Sequence, residues 1–186
     1  DGAACGNIFA ASTPDVILEA TKALNQGNGV LYLYNNYAGD NMNFDIAAEM
    51  AADEGIVIKT VRIYDDVASA PPEQKEERRG IAGDVFIIKI SGGVAATVQD
   101  LAEVVRVTEK ARNNTRSMGV ALSAGSLPET GEPTFELPED EIEIGMGLHG
   151  EAGVSRGKML PANQLVEDML GRILADFPLK RGNEVC

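Results

Sequence analysis

Apolar positions along the first part of the chain change between helical and strand spacing. They recur at helical spacing over residues 13–24, where a Thr-Pro pair suits the start of a helix. A run of β-branched and aromatic residues at 30–34 then predicts a buried strand. A helix over 42–54 and a strand over 56–63 repeat this order, which predicts alternating helices and strands.

Further elements continue this alternation. The β-rich run at 85–90 predicts a third strand, residues 97–112 have helical spacing, and 118–122 predict a short fourth strand. The highly charged segment 73–79 predicts an exposed helical piece. Helices that alternate with strands are typical of an α/β layered fold, here with a largely parallel or mixed sheet flanked by helices.

The composition and the spacing of apolar residues change after the fourth predicted strand. Residues 123–138 contain three Pro and two Gly without a clear period, which is typical of irregular structure. A strand is predicted within 142–148. The last helix is predicted over 161–175, where apolar residues line one face.

This change indicates two domains. We place the boundary within 113–135 and assign residues 1–117 to a first α/β domain whose N-terminal part is missing. Residues 118–186 then form the start of a second α/β domain, which carries His149. The chain begins with Asp1 instead of Met and ends in a strand-like run, so we expect a fragment that is truncated at both ends.

Charge and composition narrow the class of protein. The 186 residues include 44% hydrophobic residues and carry a net charge of −13, which disfavours nucleic acid and anionic lipid as partners. No run approaches the roughly 18 apolar residues of a membrane helix. The two Cys, at positions 5 and 186, form no disulfide framework and favour a reducing compartment, so we expect a cytoplasmic protein.

The only His of the chain is a candidate for chemistry. His149 follows a predicted strand in a glycine-rich segment, and glycine permits backbone geometries that a Cβ would block. Its imidazole can act as a base, a metal ligand or a nucleophile. A purely structural or exposed His is the competing interpretation. One His and two distant Cys do not predict a zinc site.

A second candidate cluster occupies residues 36–45, between a buried strand and a helix. Ligands of parallel α/β sheets bind beyond the carboxyl ends of the strands, which makes Asp40 a candidate site residue. A plain helix-capping role for Asp40 is the alternative. Asp45 is expected in the first turn of the helix.

Three other motifs carry weaker signals. Asp65 and Asp66 at a strand end are typical of a metal site or of a solvated loop. The segment 91–93 offers backbone N–H groups but lacks the Lys and the spacing of a phosphate loop. Arg78 and Arg79 are interpreted as a helix end or a partner contact.

Taken in order, these motifs resemble the substrate-binding subunit or domain of the dihydroxyacetone kinase family. Single motifs are weak, but the ordered set spans nearly the whole chain. The matching segments are residues 5–9, 13–15, 36–40, 43–44, 65–68, 78–80, 117–122, 131–135 and 145–151.

The resemblance implies a definite chemistry. His149 is expected to form a hemiaminal with the carbonyl carbon of a short ketose, and Asp40 to accept the proton of the terminal hydroxyl that attacks phosphorus. Asn35, Asp40 and His149 are then the substrate-binding residues, and no metal is expected on this chain. The resemblance also implies a homodimer and a partner domain or subunit that carries ATP or ADP with Mg²⁺.

Two departures from the family pattern bear on the substrate. Well-known members carry Lys at the position of Asn35 and Thr at the position of Ala38. The family also has a glycine-rich segment with another His, which would precede Asp1. Loss of the cation removes a strong hydrogen-bond donor, so a kinase for a four-carbon ketose such as erythrulose is an alternative to one for dihydroxyacetone (glycerone).

A non-catalytic relative is the remaining alternative. Such a protein would bind dihydroxyacetone and act as a coactivator of a transcription regulator. Because Asp40 is retained, the sequence favours the kinase.

Overall fold

The computed structural model describes residues 1–185 and comprises two compact units. The first contains Asp1–Tyr64 and Gly83–Thr115. The second contains Asp65–Ala82 and the chain from Arg116 onward.

Three sequence expectations concern the chain as a whole. The boundary between two folding domains after residue 117 stays a prediction. Among the described residues, no helix combines the length and the apolar character that crossing a membrane requires. Cys5 is an exposed free thiol, and Cys186 lies outside the described residues.

The first unit consists of helices around a parallel strand pair. Its elements are, in chain order, α1 (Pro14–Leu24), β1 (Val30–Asn35), α2 (Ala38–Asp53), β2 (Ile58–Ile63), α3 (Asp84–Ala95) and α4 (Leu101–Asn113). β1 and β2 run parallel, with Val30 opposite Ile58 and Asn35 opposite Ile63. The predicted helix–strand order up to residue 63 is confirmed.

An aromatic cluster joins the end of β1 to α2. The ring of Phe44 stacks on Tyr34 at 4.2 Å between centroids and meets Tyr32 edge-on at 5.2 Å. Ile17 of α1 and Ala47 of α2 complete this buried cluster. Aromatic pairs of this kind contribute about 0.5–1.5 kcal/mol beyond their area burial. This packing stabilises the end of β1, where the loop to α2 begins.

The predicted strand at 85–90 is wrong, because these residues lie in α3. Periodicity alone does not separate a short apolar run in a strand from one in a helix. Ile87 and Ser91, four residues apart, are buried, and the Thr108 hydroxyl of α4 donates to Ser91 Oγ at 2.9 Å. Packing against α4 therefore determines that residues 85–90 form a helix instead of a strand. The apolar side chains that remain exposed on α3 are Val85, Phe86, Ile88 and Ile90.

The second unit contains an antiparallel sheet covered by a helix. Its elements are an exposed 3₁₀ helix (Pro72–Glu77), β3 (Val120–Ala121), β4 (Glu141–Ile144), β5 (Ser155–Lys158) and α5 (Ala162–Asp176). β4 pairs with both β3 and β5 in antiparallel orientation. With parallel strands in one unit and antiparallel strands in the other, the predicted mixed α/β class is confirmed.

The core of the second unit lies between the sheet and α5. Its members are Met118, Ile142 and Ile144 with Leu165, Met169 and Ile173. The strand predicted within 142–148 ends at Ile144, because Gly145 turns the chain with a φ of 81°. β5 was not predicted, since all four of its residues are exposed and show no apolar alternation.

Candidate functional site

His149 lies in the loop of the β4–β5 hairpin. Val154 N–H donates to Ile144 O at 2.8 Å at the base of this loop, and Gly147 N–H donates to Glu151 O at 3.0 Å inside it. Gly150, next to His149, has a φ of 83°, which disfavours residues with a Cβ. The glycines noted in the sequence therefore shape a tight loop with His149 near its tip.

The side chain of Glu151 contacts His149 at two points. Its Oε2 accepts the backbone N–H of His149 at 2.9 Å, and its Oε1 lies 3.1 Å from Nδ1 of the ring. The two side chains are 35% and 36% exposed, so both reach solvent. An ionised carboxylate only accepts hydrogen bonds, so this contact favours the tautomer with a proton on Nδ1 and a lone pair on Nε2.

The carboxyl of Glu151 is biased towards its ionised form. Burial raises the pKa of Glu151, but hydrogen bonds from backbone N–H groups and from His149 outweigh burial and hold this pKa below its ordinary value. The ring of His149 therefore faces a negative charge near neutral pH.

Arg79 connects Glu151 to a buried carboxylate. Its Nη1 lies 4.0 Å from Glu151 Oε2, and its Nη2 lies 2.9 Å from Asp66 Oδ2 and donates to Gly145 O at 3.0 Å. Asp66 is fully buried. Burial raises the pKa of Asp66. Its hydrogen bond from the Ala68 N–H and the nearby Arg79 guanidinium lower this pKa, but burial outweighs them.

Gly147 makes room for this approach. A Cβ at this position would lie 2.2 Å from Glu151 Oε2 and 2.4 Å from Arg79 Nη1. Such distances are far below van der Waals contact, so a larger residue here forces the two charged groups to move.

Asp65 and Asp66 do not form a solvated loop, so that interpretation was wrong. Asp65 is 1% exposed, and its carboxylate accepts the N–H of Ile81 at 2.9 Å and the hydroxyl of Ser117. The two carboxylates hold the neighbouring chain segments of the second unit in place.

Within residues 1–185, no group of three or more His, Cys, Asp or Glu is placed to hold a metal ion.

Arg78 is also structural. It is 1% exposed and pairs with Asp176 of α5, which also accepts from Arg116 Nε at 2.8 Å. The guanidinium of Arg116 in turn lies 4.9 Å from the ring centroid of Phe177. This buried ion cluster ties the segment before residue 80 to α5.

Asp40 lies in the first turn of α2, which begins at Ala38 instead of at residue 42. A carboxylate in the first turn interacts favourably with the N-terminus of a helix. Asp45 is not in the first turn as expected; it pairs with Arg62 of β2 at 2.8 Å.

Two amide oxygens near Asp40 are buried and accept no hydrogen bond from the described residues. They are Oδ1 of Asn35, at the end of β1, and Oδ1 of Asn41. Nδ2 of Asn35 donates to Asp84 Oδ2 at 3.1 Å, which fixes the orientation of this amide. Nδ2 of Asn41 donates to Asn36 Oδ1 at 2.9 Å. Since buried polar atoms are almost always paired, these oxygens suit a ligand that donates hydrogen bonds.

The structure places the sequence-based candidates in two groups. Asn35 and Asp40 lie at the β1–α2 junction of the first unit, and His149 lies in the second unit. Their joint action stays a prediction. Sequence reasoning missed Glu151 as the partner of His149, although its position two residues away was a usable signal. It named Arg79 only as part of a helix end or a partner contact, because nothing in the local sequence links Arg79 to Glu151.

Comparison with known proteins adds independent evidence. A "PTS-dependent dihydroxyacetone kinase 2, dihydroxyacetone-binding subunit DhaK" from Listeria innocua is 48% identical over all of this chain and 55% of its own length. A "D-erythrulose kinase" from Mycolicibacterium smegmatis is 42% identical over 96% of this chain and 31% of its own length. The chain thus spans about half or less of these relatives.

Solved structures agree with the sequence matches. The native dihydroxyacetone kinase of C. freundii superposes with a TM-score of 0.86 and 36% identity, over 94% of this chain and 32% of that enzyme. A complex of the same enzyme with AMP-PNP and Mg²⁺ gives a TM-score of 0.85. The model of the Dak1 domain matches residues 1–186, and the chain therefore belongs to the Dak1 domain family.

Proposed function

We propose that this chain is part of the substrate-binding subunit or domain of a short-ketose kinase. In the proposed reaction, His149 captures the ketose through its carbonyl carbon, and the terminal hydroxyl is then phosphorylated. The observation that carries the proposal is the contact of His149 Nδ1 with Glu151, which favours a nucleophilic lone pair on Nε2. The kinase names of the relatives support the same reaction class.

Covalent capture explains how a small substrate is selected and held. Dihydroxyacetone has an electrophilic carbonyl carbon, whereas glycerol, of similar size, has none. A bond to a fixed imidazole also turns phosphoryl transfer into a positioned reaction, which lowers the entropic part of its barrier.

Asp40 is proposed as the general base. Its carboxylate would accept the proton of the terminal hydroxyl as the oxygen attacks phosphorus. Its place beyond the carboxyl end of β1 supports this role, because ligands of parallel α/β sheets bind there.

The phosphate donor is proposed to come from a partner. The related enzyme of C. freundii was solved with AMP-PNP and Mg²⁺, which supports ATP or ADP with Mg²⁺ on a nucleotide-binding domain or subunit. The name of the Listeria innocua relative supports a phosphotransferase-dependent donor as the other form. We further propose that the protein acts in the cytoplasm as a homodimer.

Erythrulose is the second candidate substrate. Asn35 presents a buried carbonyl oxygen, and Oδ1 of Asn41 is a second acceptor. A four-carbon ketose has one hydroxyl more than dihydroxyacetone to donate to such oxygens. The 42% sequence identity to a relative named D-erythrulose kinase supports this candidate.

Mass spectrometry of the intact full-length protein under non-denaturing conditions tests the proposal. Incubation with dihydroxyacetone should add the whole mass of the ketose without loss of water, which distinguishes a hemiaminal from a Schiff base. The adduct should be absent with glycerol and in His149→Ala. Absence of any adduct with either ketose would contradict the proposal.

A further inference from the structure

Glu151 is fixed with respect to the main chain of His149. The bond from the His149 N–H to Glu151 Oε2, at 2.9 Å, sets the position of the carboxylate. The second oxygen, Oε1, then meets the ring at Nδ1 at 3.1 Å. Because both contacts come from one carboxylate, the ring orientation and the tautomer of His149 are linked to Glu151.

Arg79 and Asp66 extend this link into the protein interior. Arg79 lies 4.0 Å from Glu151 and pairs with Asp66, which is fully buried. The carbonyl of Gly145 accepts a second bond from Arg79 at 3.0 Å. Held by Asp66 and by the carbonyl of Gly145, the guanidinium keeps a positive charge near Glu151.

We propose that Glu151, supported by Arg79, is a positioning residue that fixes the Nδ1–H tautomer of His149 and balances the positive charge formed on the ring during ketose capture. This inference rests on the proposed function of His149. It adds a role for two residues that do not themselves touch the substrate carbon.

The capture step shows why this charge matters. The Nε2 lone pair forms a bond to the carbonyl carbon, and the π electrons of the C=O bond move to its oxygen. The ring then carries a positive charge and the oxygen a negative one. The oxygen then takes a proton from a water molecule, whose hydroxide is left in the solvent, and the ring keeps its Nδ1 proton and its positive charge opposite Glu151.

Glu151 stabilises the product of bond formation more than the reactants. The neutral ring donates one hydrogen bond to the ionised carboxylate, whereas the charged ring donates the same bond and is also attracted as a positive charge to the negative carboxylate. The ionisable groups next to Glu151 are His149, which gains charge, and Arg79, whose guanidinium lies 4.0 Å from Glu151 Oε2. The carboxylate therefore favours the adduct over the free ketose.

Glu151→Gln in the full-length protein tests the inference. Gln keeps an oxygen for the His149 N–H but removes the charge and the preference for an Nδ1 proton. We expect the apparent affinity for dihydroxyacetone, from adduct occupancy in intact-mass titrations, to fall on the order of tenfold. Glu141→Gln, which removes a carboxylate from the same hairpin, is the matched control and should keep the wild-type occupancy.

A second readout reports on the ring itself. In ¹⁵N spectra of the imidazole, assigned by comparison with His149→Ala, the wild type should carry its proton on Nδ1, and Glu151→Gln should shift the proton towards Nε2. Glu151→Asp keeps the charge and should restore part of the occupancy. This variant also keeps the test valid if Glu151→Gln does not fold.

The outcomes separate the inference from the proposed function. If the wild type forms the adduct and Glu151→Gln changes neither occupancy nor tautomer, the role of Glu151 is overturned and capture by His149 stands. If the wild type forms no adduct, the proposed function fails, and the charge-balancing role of Glu151 fails with it. Lower occupancy together with a shifted tautomer supports the inference.

Discussion

Nδ1 of His149 lies 3.1 Å from Oε1 of Glu151, with one glycine between the two residues in the sequence. This contact favours the tautomer of His149 that carries its proton on Nδ1, and it places a carboxylate beside the ring. A ring in this state presents a nucleophilic nitrogen, which is the property that capture of a ketose requires.

Gly147→Ala should weaken ketose capture. The new methyl group would lie 2.2 Å from Glu151 Oε2 and 2.4 Å from Arg79 Nη1, so the ends of these two side chains must move away from it. We expect a loss of adduct occupancy of about tenfold, similar to the loss of one charge-assisted hydrogen bond. Gly125→Ala is the control, because no atom lies within 4 Å of its added Cβ. Equal occupancy in both variants would show that the approach of Arg79 to Glu151 is unimportant.

Asp40→Asn separates the kinase from a non-catalytic coactivator. If Asp40 is the general base, turnover with the phosphate-donor partner should fall by about 10²–10⁴-fold, while adduct formation on His149 persists. Asp53→Asn, at the far end of the same helix, should leave turnover unchanged. Unchanged turnover in Asp40→Asn would remove Asp40 from the reaction. A wild-type protein that forms the adduct but never transfers phosphate would favour the coactivator.

Asn35→Lys should change the preference between substrates. A Lys here would place a cation beside Asp84 in place of the buried amide oxygen. We expect the ratio of kcat/KM for dihydroxyacetone to that for erythrulose to rise in this variant. Competition assays with both ketoses measure this ratio directly. A ratio that stays constant would mean that Asn35 does not contact the group that distinguishes the two substrates.

Arg78→Ala should destabilise the protein strongly. Removing Arg78 takes away one of the two guanidinium groups that pair with the buried carboxylate of Asp176, so we expect a loss near the lower end of the roughly 3–5 kcal/mol that breaking a buried ion pair costs. Arg172→Ala is the control, because its pair with Asp168 is exposed and contributes less than about 1 kcal/mol. Urea unfolding of both variants tests this difference. Equal losses would contradict a structural role for Arg78.

The same ion cluster predicts an acid-sensitive stability. Hydrogen bonds from Arg78 and from Arg116 hold the pKa of Asp176 below its ordinary value. Burial acts in the opposite direction but is outweighed. The contribution of Asp176 is therefore complete above the unfolded-state pKa of about 4 and is lost as pH falls through the lower folded-state pKa. In urea unfolding at a series of acidic pH values, Asp176→Asn should show a shallower loss of stability than the wild type. Identical slopes would argue against this coupling.

The parts of the fold that follow local rules could be predicted from the sequence. A helix-starting Thr-Pro pair and a β-rich run were enough to place α1 and β1. The run at 85–90 could not be assigned in this way, because its helical state depends on Ile87 and Ser91 packing against α4, a tertiary contact.

The candidate site shows the same limit. Glycine spacing around His149 and the strand-to-helix junction at Asp40 were enough to predict each of these residues as a candidate, and their roles stay predictions. The support behind His149 was not found, because Arg79 is far from it in sequence and meets Glu151 only in the folded chain. The burial of Asp65 and Asp66 likewise depends on partners such as Ser117, which the local sequence does not reveal.

A ¹³C NMR spectrum can detect the proposed bond between His149 and the carbonyl carbon of the ketose. The full-length protein is mixed with dihydroxyacetone labelled at the carbonyl carbon. We expect a protein-bound signal in the region of a tetrahedral carbon that bears oxygen and nitrogen, and we expect this signal to disappear in His149→Ala. A bound ketose whose carbon keeps its carbonyl shift, or a tetrahedral signal that persists in His149→Ala, would contradict the proposed bond.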